Sequence, residues 1–151
     1  MSLSFKSRKG TVEQRWIYYA MLRDNVQHHL EGGAPGGDFE ALHAVGSALT
    51  LGRVAVPAGR LHDELVVARG ALAAKPMHEF AVSLRTQAVV SLKWPPPERR
   101  ETTVVGAHGS AGLPTDASMT TLGDAFGHLL DALIDLSEGA QETDVIEVVD
   151  L

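Results

Sequence analysis

Residues 78–97, HEFAVSLRTQAVVSLKWPPP, decide the fold class that we expect for this chain. Between Phe80 and Trp94 the even-numbered positions are mostly apolar and the odd-numbered positions are mostly polar or small, which is the two-residue period of a half-buried β-strand. A helix is the alternative, because some of the same apolar residues are also spaced three or four apart. The β-branched residues and the proline stop at 95–97 favour a strand over residues 79–94, with its apolar face against helices.

Three helices are predicted ahead of this strand. The first begins at a capping-box sequence, Thr-Val-Glu-Gln, over residues 11–14 and ends at Gly32. Asp38 can cap the second helix, which ends at Gly52. Apolar residues repeat with helical spacing from 58 to 74 and predict the third. The chain is therefore expected to be mainly helical before its period changes to two.

The remaining elements complete a small sheet. A second strand is predicted over about 101–107 and a third over about 144–150. An irregular loop over 106–119 and a leucine-rich helix over about 121–138 separate them. Three helices, a strand pair, a helix and a strand form an α+β fold rather than a regularly alternating α/β fold. We expect a mainly antiparallel sheet packed against the last helix.

Length and composition indicate one globular domain. The chain has 151 residues, of which 44% are hydrophobic and 21% are charged, and these values are typical of a folded domain. We expect residues 1–10 to form a flexible basic lead-in and residues 11–151 to form the domain. The sequence contains no cysteine, which excludes disulfides and thiolate sites and fits a cytoplasmic location. Because the sequence has neither a membrane-spanning apolar run nor a secretory signal, no membrane partner is expected.

Charge is divided unevenly along the chain. All 13 Lys and Arg residues and 9 of the 19 acidic residues lie in residues 1–100, whereas residues 101–151 hold the other 10 acidic residues. Phosphate backbones repel such an acidic segment, so nucleic acid is not expected as a partner. Two interpretations stay open. Either the acidic third complements the basic part of the same domain, or it is presented to a basic protein partner.

Residues that could carry catalysis are few and scattered. A small enzyme or ligand-binding domain would use histidines in a pocket between the sheet and the first helix, and the candidates are His28, His43, His62 and His108. No HExxH motif or dense ligand cluster accompanies them. The sequence around Ser110, HGSAG, lacks the first glycine of a serine-hydrolase elbow. We therefore expect no catalytic residue, no metal and no cofactor.

The hypothesis that we favour is a non-catalytic protein-interaction or regulatory protein, with the small enzyme as the alternative. The first helix carries a second apolar face, and a small sheet leaves edges to be covered, so a homodimer or larger oligomer is expected. One version is a neutralising, immunity-type protein that presents its acidic C-terminal third to a basic partner. The order of elements is consistent with many small bacterial accessory proteins, and we expect a bacterial source.

The residues predicted to contact a partner lie on two surfaces. They are Ile17, Met21 and His28 on the second face of the first helix, and Arg85, Gln87 and Lys93 on the polar face of the strand at 79–94. The expected partner at both surfaces is a protein chain, either a second copy or a different protein.

Overall fold

Two antiparallel sheets contain the strands of the computed structural model, which describes residues 2–34, 36–81, 89–90, 100–106, 109–115 and 120–151. Within 82–119 the description covers only the backbone pairing of the strands. The strands are β1 (Ser2–Ser7), β2 (Gly10–Arg15), β3 (Arg53–Pro57), β4 (Val89–Val90), β5 (Arg100–Gly106), β6 (Gly109–Thr115) and β7 (Val145–Asp150). The larger sheet has the order β2-β1-β7-β3 and the smaller sheet has the order β4-β5-β6.

Helices lie between β2 and β3 and between β3 and β7 in the described part of the chain. They are α1 (Trp16–Leu30), α2 (Glu40–Ala44), α3 (Ala48–Leu51), α4 (Ala58–Ala73), α5 (Leu122–Ala125) and α6 (Gly127–Ser137). Short 3₁₀ turns lie at Gly37–Phe39, Val45–Ser47 and Met77–Glu79. The strand pairs are antiparallel rather than the parallel pairs of an alternating α/β fold. The predicted α+β class is confirmed.

The larger sheet joins the two ends of the chain. The C-terminal strand β7 lies between β1 and β3 and is antiparallel to both. Leu3 and Phe5 of β1 and Val148 of β7 are fully buried, whereas Lys6 is exposed. This alternation is typical of a sheet with one face against a core and one face toward water. The helices that are described pack against the buried face.

One hydrophobic core fills the space between this sheet and the helices. Helices α1, α4 and α6 contribute their apolar stripes, which repeat at three- and four-residue spacing. The largest fully buried side chains are Tyr19, Phe5, Phe126, Leu3, Leu22, Leu42, Leu61, Leu65, Leu72, Met77 and Leu122. Burial of large apolar side chains from every layer accounts for the association of helices and sheet.

The N-terminal residues form structure that the sequence reasoning missed. Residues 1–10 were expected to be a flexible lead-in, but Ser2–Ser7 is strand β1 and pairs with both β2 and β7. The capping-box sequence at 11–14 lies within β2, and the first helix begins at Trp16. Pairing with neighbouring strands outweighs the local helix signal, because a capping box contributes only about 1 kcal/mol.

The predicted sheet also differs from the observed ones. The C-terminal strand was predicted over about 144–150 together with strands at 79–94 and 101–107. Instead β7 pairs with β1 and β3, while β5 pairs with β4 and β6. The predicted loop at 106–119 contains strand β6. The prediction lacked β1, because residues 1–10 were expected to be a lead-in. The C-terminal strand was therefore assigned to the wrong sheet.

The long strand predicted at 79–94 is tested only in part. Its beginning is not extended, because Met77–Glu79 forms a 3₁₀ turn in which Phe80 N–H donates to Met77 C=O at 3.1 Å. Val89–Val90 is a strand and is antiparallel to β5, as predicted. Residues 82–88 and 91–94 lie outside the described residues, and the packing proposed for the apolar face lies with them.

The last helix begins as predicted and is divided in two. Thr121 caps α5 in a capping box: Asp124 N–H donates to the Thr121 hydroxyl at 3.2 Å, and Thr121 N–H donates to the Asp124 carboxylate at 3.0 Å. Hydrogen bonds from the N–H groups of Thr120 and Thr121, the former foremost, hold the pKa of the Asp124 carboxyl below its usual value. At Phe126 the backbone leaves helical geometry, so the helix predicted over 121–138 becomes α5 and α6.

Two chain segments on either side of residues 82–119 are bonded to each other. Leu122 N–H donates to Lys75 C=O at 2.9 Å and Met77 N–H donates to Thr120 C=O at 3.1 Å. Helix α1 holds the same region through Asn25, which is fully buried and bonds to Ala81. We call this arrangement of residues 75–81, 120–122 and Asn25 the clamp.

Candidate interaction edge

The hydrogen bonds at the C-terminus establish which way each residue of the larger sheet bonds. Asp150 N–H donates to Gly52 C=O on the β3 side at 2.9 Å, and Leu151 N–H donates to Ser2 C=O on the β1 side at 2.9 Å. Bonding direction alternates along an antiparallel strand. Even-numbered residues of β7 therefore bond toward β3, and odd-numbered residues bond toward β1.

This alternation identifies the groups at the free side of β2. Following the pairing register across β7, β1 and β2, the even-numbered residues of β2 bond to β1. The odd-numbered residues Thr11, Glu13 and Arg15 direct their N–H groups away from the sheet. All three residues are exposed. We call Thr11, Glu13 and Arg15 the β2 edge, and in the described part of the chain β2 is an outermost strand.

The opposite edge of the same sheet is built differently. By the same alternation, Arg53, Ala55 and Pro57 of β3 face outward. Pro57 has no N–H group to offer, and proline is one of the residues that block pairing at sheet edges. The helical residues 40–51 also lead directly into β3. The β2 edge keeps its three outward N–H groups, so it is the more open template for another strand.

The turn that begins β2 is held firmly by the rest of the domain. Ser7 Oγ accepts from Lys9 N–H at 3.0 Å and donates to Leu136 C=O at 3.0 Å. Lys9 Nζ donates to Glu138 C=O at 3.4 Å. Cationic and hydroxyl donors at the last carbonyls of a helix satisfy groups that have no partner within it. The turn thereby caps α6 and is fixed in place, so the β2 edge is presented by a braced hairpin.

The outer face of the larger sheet is polar. Its rows run across the strands and include Glu13–Ser4–Val149–Arg53 and Thr11–Lys6–Glu147–Ala55. Glu147 and Arg53 form an ion pair within this face. A face of serine, threonine and charged residues is stable in water. The part of the sheet that is open to a partner strand is therefore its edge rather than this face.

The uneven charge distribution is partly balanced within the domain. Basic residues of the first hundred pair with acidic residues of the last third in three ion pairs, Arg8–Asp144, Arg69–Asp131 and Arg53–Glu147. The N–O distances are 3.1 Å in the first pair and 2.5 Å in the second. These contacts support the interpretation that the two parts of the chain complement each other. Asp135, Glu138 and Glu142 remain exposed.

The candidate histidines lie apart and contact different elements. His43 Nε2 is 2.5 Å from Glu31 Oε1, and Glu31 also accepts from Gly36 N–H at 2.5 Å. His62 Nδ1 is 3.2 Å from Ser137 Oγ, where Ser137 is only 2% exposed. These pairs join a loop to α2 and join α4 to α6.

In the part of the chain that is described, neither of these histidine contacts belongs to a cluster of metal-ligating side chains. Among those residues no group of three or more His, Asp or Glu could hold a metal ion. His28 is exposed beside His29, with perpendicular rings 4.8 Å apart. His108 lies outside the described residues, and Ser110 lies in strand β6 rather than at a strand-to-helix elbow.

The predicted interface residues have different fates. Ile17 and Met21 are 8% and 6% exposed and belong to the core of the single chain, so they are not accessible to a partner. Both apolar faces of α1 are covered because the helix lies inside its own domain. His28 is exposed. Arg85, Gln87 and Lys93 lie outside the described residues.

A cleft of about 260 Å³ lies beside the hairpin, between residues 7–9 and 136–145. Two of its charged groups pair with each other: Arg8 pairs with Asp144, and Asp144 also accepts from Gln141 N–H at 2.8 Å. These groups brace the hairpin against α6. The contacts within the cleft therefore help to fix the position of the β2 edge.

Sequence reasoning missed the β2 edge, although a signal was present. Leu3 and Phe5 alternate with Ser4 and Lys6, and Ser-Arg-Lys-Gly follows as a turn sequence. The basic composition of residues 1–10 led to their assignment as a lead-in. Reading the alternation first would have predicted a hairpin over 2–15.

Comparisons with protein-family models, with curated proteins and with solved structures found no match to this chain. Of the helices that are described, none has the length and apolar character needed to cross a bilayer. The geometry of the β2 edge is therefore the feature that bears on function.

Proposed function

We propose that this chain is a non-catalytic protein-interaction protein that binds a partner by strand addition at the β2 edge. The observation that carries the proposal is the set of outward N–H groups of Thr11, Glu13 and Arg15 on an exposed strand. An extended segment placed beside an exposed edge gains main-chain hydrogen bonds along its length. A regulatory or accessory role follows from binding of this kind, without any catalytic group.

Two features of the domain support this proposal. The hairpin is anchored at the end of α6 through Ser7 and Lys9, so the edge is ordered before a partner arrives. A preorganised edge binds more tightly because less conformational entropy is lost on binding. The other edge ends at Pro57, which has no N–H group to offer. A partner strand therefore finds more main-chain donors at the β2 edge.

Site-specific crosslinking tests the proposal. A photoreactive amino acid replaces Glu13 in one variant and Ala55 in another, and each variant is expressed and irradiated in the cells that make this chain. We expect a protein partner, identified by mass spectrometry, to be crosslinked from position 13 and not from position 55. Adding Arg15→Pro, which removes one outward N–H at a position whose φ of −63° suits proline, is expected to abolish the crosslink.

Position 55 is the matched control, because Ala55 faces outward on the opposite edge of the same sheet. Equal crosslinking from both positions, or crosslinking that survives Arg15→Pro, would show that contact is not made by strand addition at β2. A complete lack of crosslinked protein from position 13 would contradict the proposed function.

A further inference from the structure

We propose that the strand added at the β2 edge is the β2 strand of a second copy of this chain. This inference rests on the proposed function and names its partner. Two copies related by a two-fold axis would form one continuous antiparallel sheet in the order β3-β7-β1-β2-β2-β1-β7-β3. Such an interface is isologous, so each copy contributes the same residues.

The backbone of the β2 edge suits pairing with itself. Thr11, Glu13 and Arg15 direct their N–H groups outward at every second residue. In an antiparallel pair of identical strands, outward groups of one copy face outward groups of the other. The strand contains no proline, and the only glycine is at its first position. Pairing over residues 13–15 therefore requires no change in the backbone of the strand.

The charges of the edge identify a second copy as the partner. Glu13 and Arg15 are two residues apart, on the same outer face and both exposed. Antiparallel pairing centred on Gln14 places Glu13 of each copy directly opposite Arg15 of the other, whereas pairing centred on Glu13 would place the two Glu13 side chains opposite each other. Cross-strand neighbours of opposite charge stabilise a sheet, and like charges destabilise it. The two-fold axis produces this favourable contact twice.

The same edge has no net charge although the whole chain has a net charge of −6. One Glu and one Arg are the only charged residues of β2. Two copies thus meet at a place where their overall repulsion is locally absent. Neither Glu13 nor Arg15 forms an ion pair with another residue in the described part of the chain, so both remain available to a second copy.

Light scattering on the purified full chain, together with charge variants, tests the inference. We expect the wild-type mass to be twice the 16.1 kDa of one chain. Glu13→Arg alone places Arg beside Arg, and Arg15→Glu alone places Glu beside Glu. Each single variant is expected to raise the dimer dissociation constant about tenfold or more, because two favourable contacts become repulsive.

An equimolar mixture of the two single variants provides the decisive measurement. In the mixed dimer, position 13 of each copy again meets the opposite charge at position 15 of the other, so wild-type affinity is expected to return. Circular dichroism of each variant checks that the domain is folded. Both side chains are exposed, so folding is expected to be unaffected.

Proline variants provide an independent control. Arg15→Pro removes an outward N–H at a backbone φ of −63°, which proline adopts, and is expected to give a folded monomer, whereas Ala55→Pro at the opposite edge is expected to leave the dimer intact. A wild-type mass of one chain would overturn the second-copy inference. So would a dimer unaffected by Glu13→Arg and by Arg15→Pro. If the crosslink from position 13 then captures a different protein, the proposed function stands and only the identity of the partner is wrong.

Discussion

Asn25 pairs with both backbone groups of Ala81. Its Oδ1 accepts from Ala81 N–H at 2.8 Å, and its Nδ2 donates to Ala81 C=O at 3.2 Å and to Met21 C=O at 2.9 Å. The side chain of this fully buried asparagine on α1 thus bonds to the backbone of Ala81 as a neighbouring strand would. The side chain stabilises this part of the fold because it satisfies backbone groups of Ala81, which lies outside helices and strands.

Asn25→Ala is expected to lower the free energy of unfolding by about 1–3 kcal/mol, because it leaves the Ala81 groups without these partners. Denaturant unfolding followed by circular dichroism measures the change. Gln27→Ala is the matched control on the same helix, since the Gln27 amide donates to Gly33 C=O in an exposed position. A loss no larger than that of the control would show that Asn25 does not hold the clamp.

Glu64 is a buried carboxylate that caps the N-terminus of α2. It lies on α4, is 5% exposed, and accepts from Leu42 N–H at 2.9 Å, Ala41 N–H at 3.2 Å and Arg60 Nε at 3.1 Å. Glu64→Gln turns an amide NH₂ toward donors and is expected to cost about 1–3 kcal/mol of stability. Thermal unfolding checks this, with the exposed neighbour Asp63→Asn as control. Equal melting temperatures for the two variants would contradict the capping role.

Gly123 marks a close contact between α5 and α4. A Cβ atom at this position would lie 2.9 Å from Ala73 Cα and 3.0 Å from Ala73 N. Gly123→Ala is therefore expected to destabilise the domain by about 1–3 kcal/mol through backbone displacement. The free energy of unfolding measures the effect.

The control for this substitution should change stability in the opposite direction. Gly70 lies within α4, and a Cβ atom there would have no atom within 4 Å. Gly70→Ala is expected to stabilise the domain by about 0.5–1 kcal/mol, because alanine has the higher helix propensity. Destabilisation by both substitutions would show that the packing of α4 differs from this account.

Ionisation of the tyrosines should be suppressed by the fold. Burial raises the pKa of Tyr18 to about 12 and raises the pKa of Tyr19 further. Their hydroxyls donate to Ala125 C=O and Leu42 C=O, both at 2.6 Å. These are the only two tyrosines in the chain. Ultraviolet titration of the native protein is therefore expected to show little tyrosinate at pH 10, where unfolded tyrosine is about half ionised.

The sign of the corresponding pH effect on stability follows from these shifts. A folded-state pKa above the unfolded value favours the neutral phenol, so the stabilisation is fully present below about pH 10. It is lost as the pH rises toward the folded pKa of Tyr18, about 12. Tyr18→Phe should weaken this alkaline loss. Native tyrosinate at the same pH as in denaturant would contradict the burial of both rings.

Elements defined by local signals were predicted well. Helix α4 was expected over 58–74 and spans Ala58–Ala73, because its apolar stripe is regular and Pro76 follows it closely. The capping box at Thr121 was predicted with Asp124 as its acidic member and is present. Such features depend on residues within one turn of each other, which a single sequence contains in full.

Features that depend on distant pairing were predicted poorly. Leu3 and Phe5 form a strand only because β7, more than 140 residues away, and β2 lie on either side. Ile17 and Met21 were predicted to face a partner, since a single sequence does not indicate how many layers of its own chain will cover a helix. The alternation of residues 2–6 indicates the hairpin, but which of its two strands lies at the edge of the sheet depends on the pairing of β1 with the distant β7.

The clamp has a consequence for how this chain can vary between species. Residues 75–77 are bonded to residues 120–122 through main-chain groups: Met77 N–H donates to Thr120 C=O, and Leu122 N–H donates to Lys75 C=O. Such bonds depend little on which side chain is present, except that proline has no N–H group to donate. Positions 77 and 122 should therefore accept many residues but exclude proline, whereas position 25, which acts through its side-chain amide, should retain asparagine.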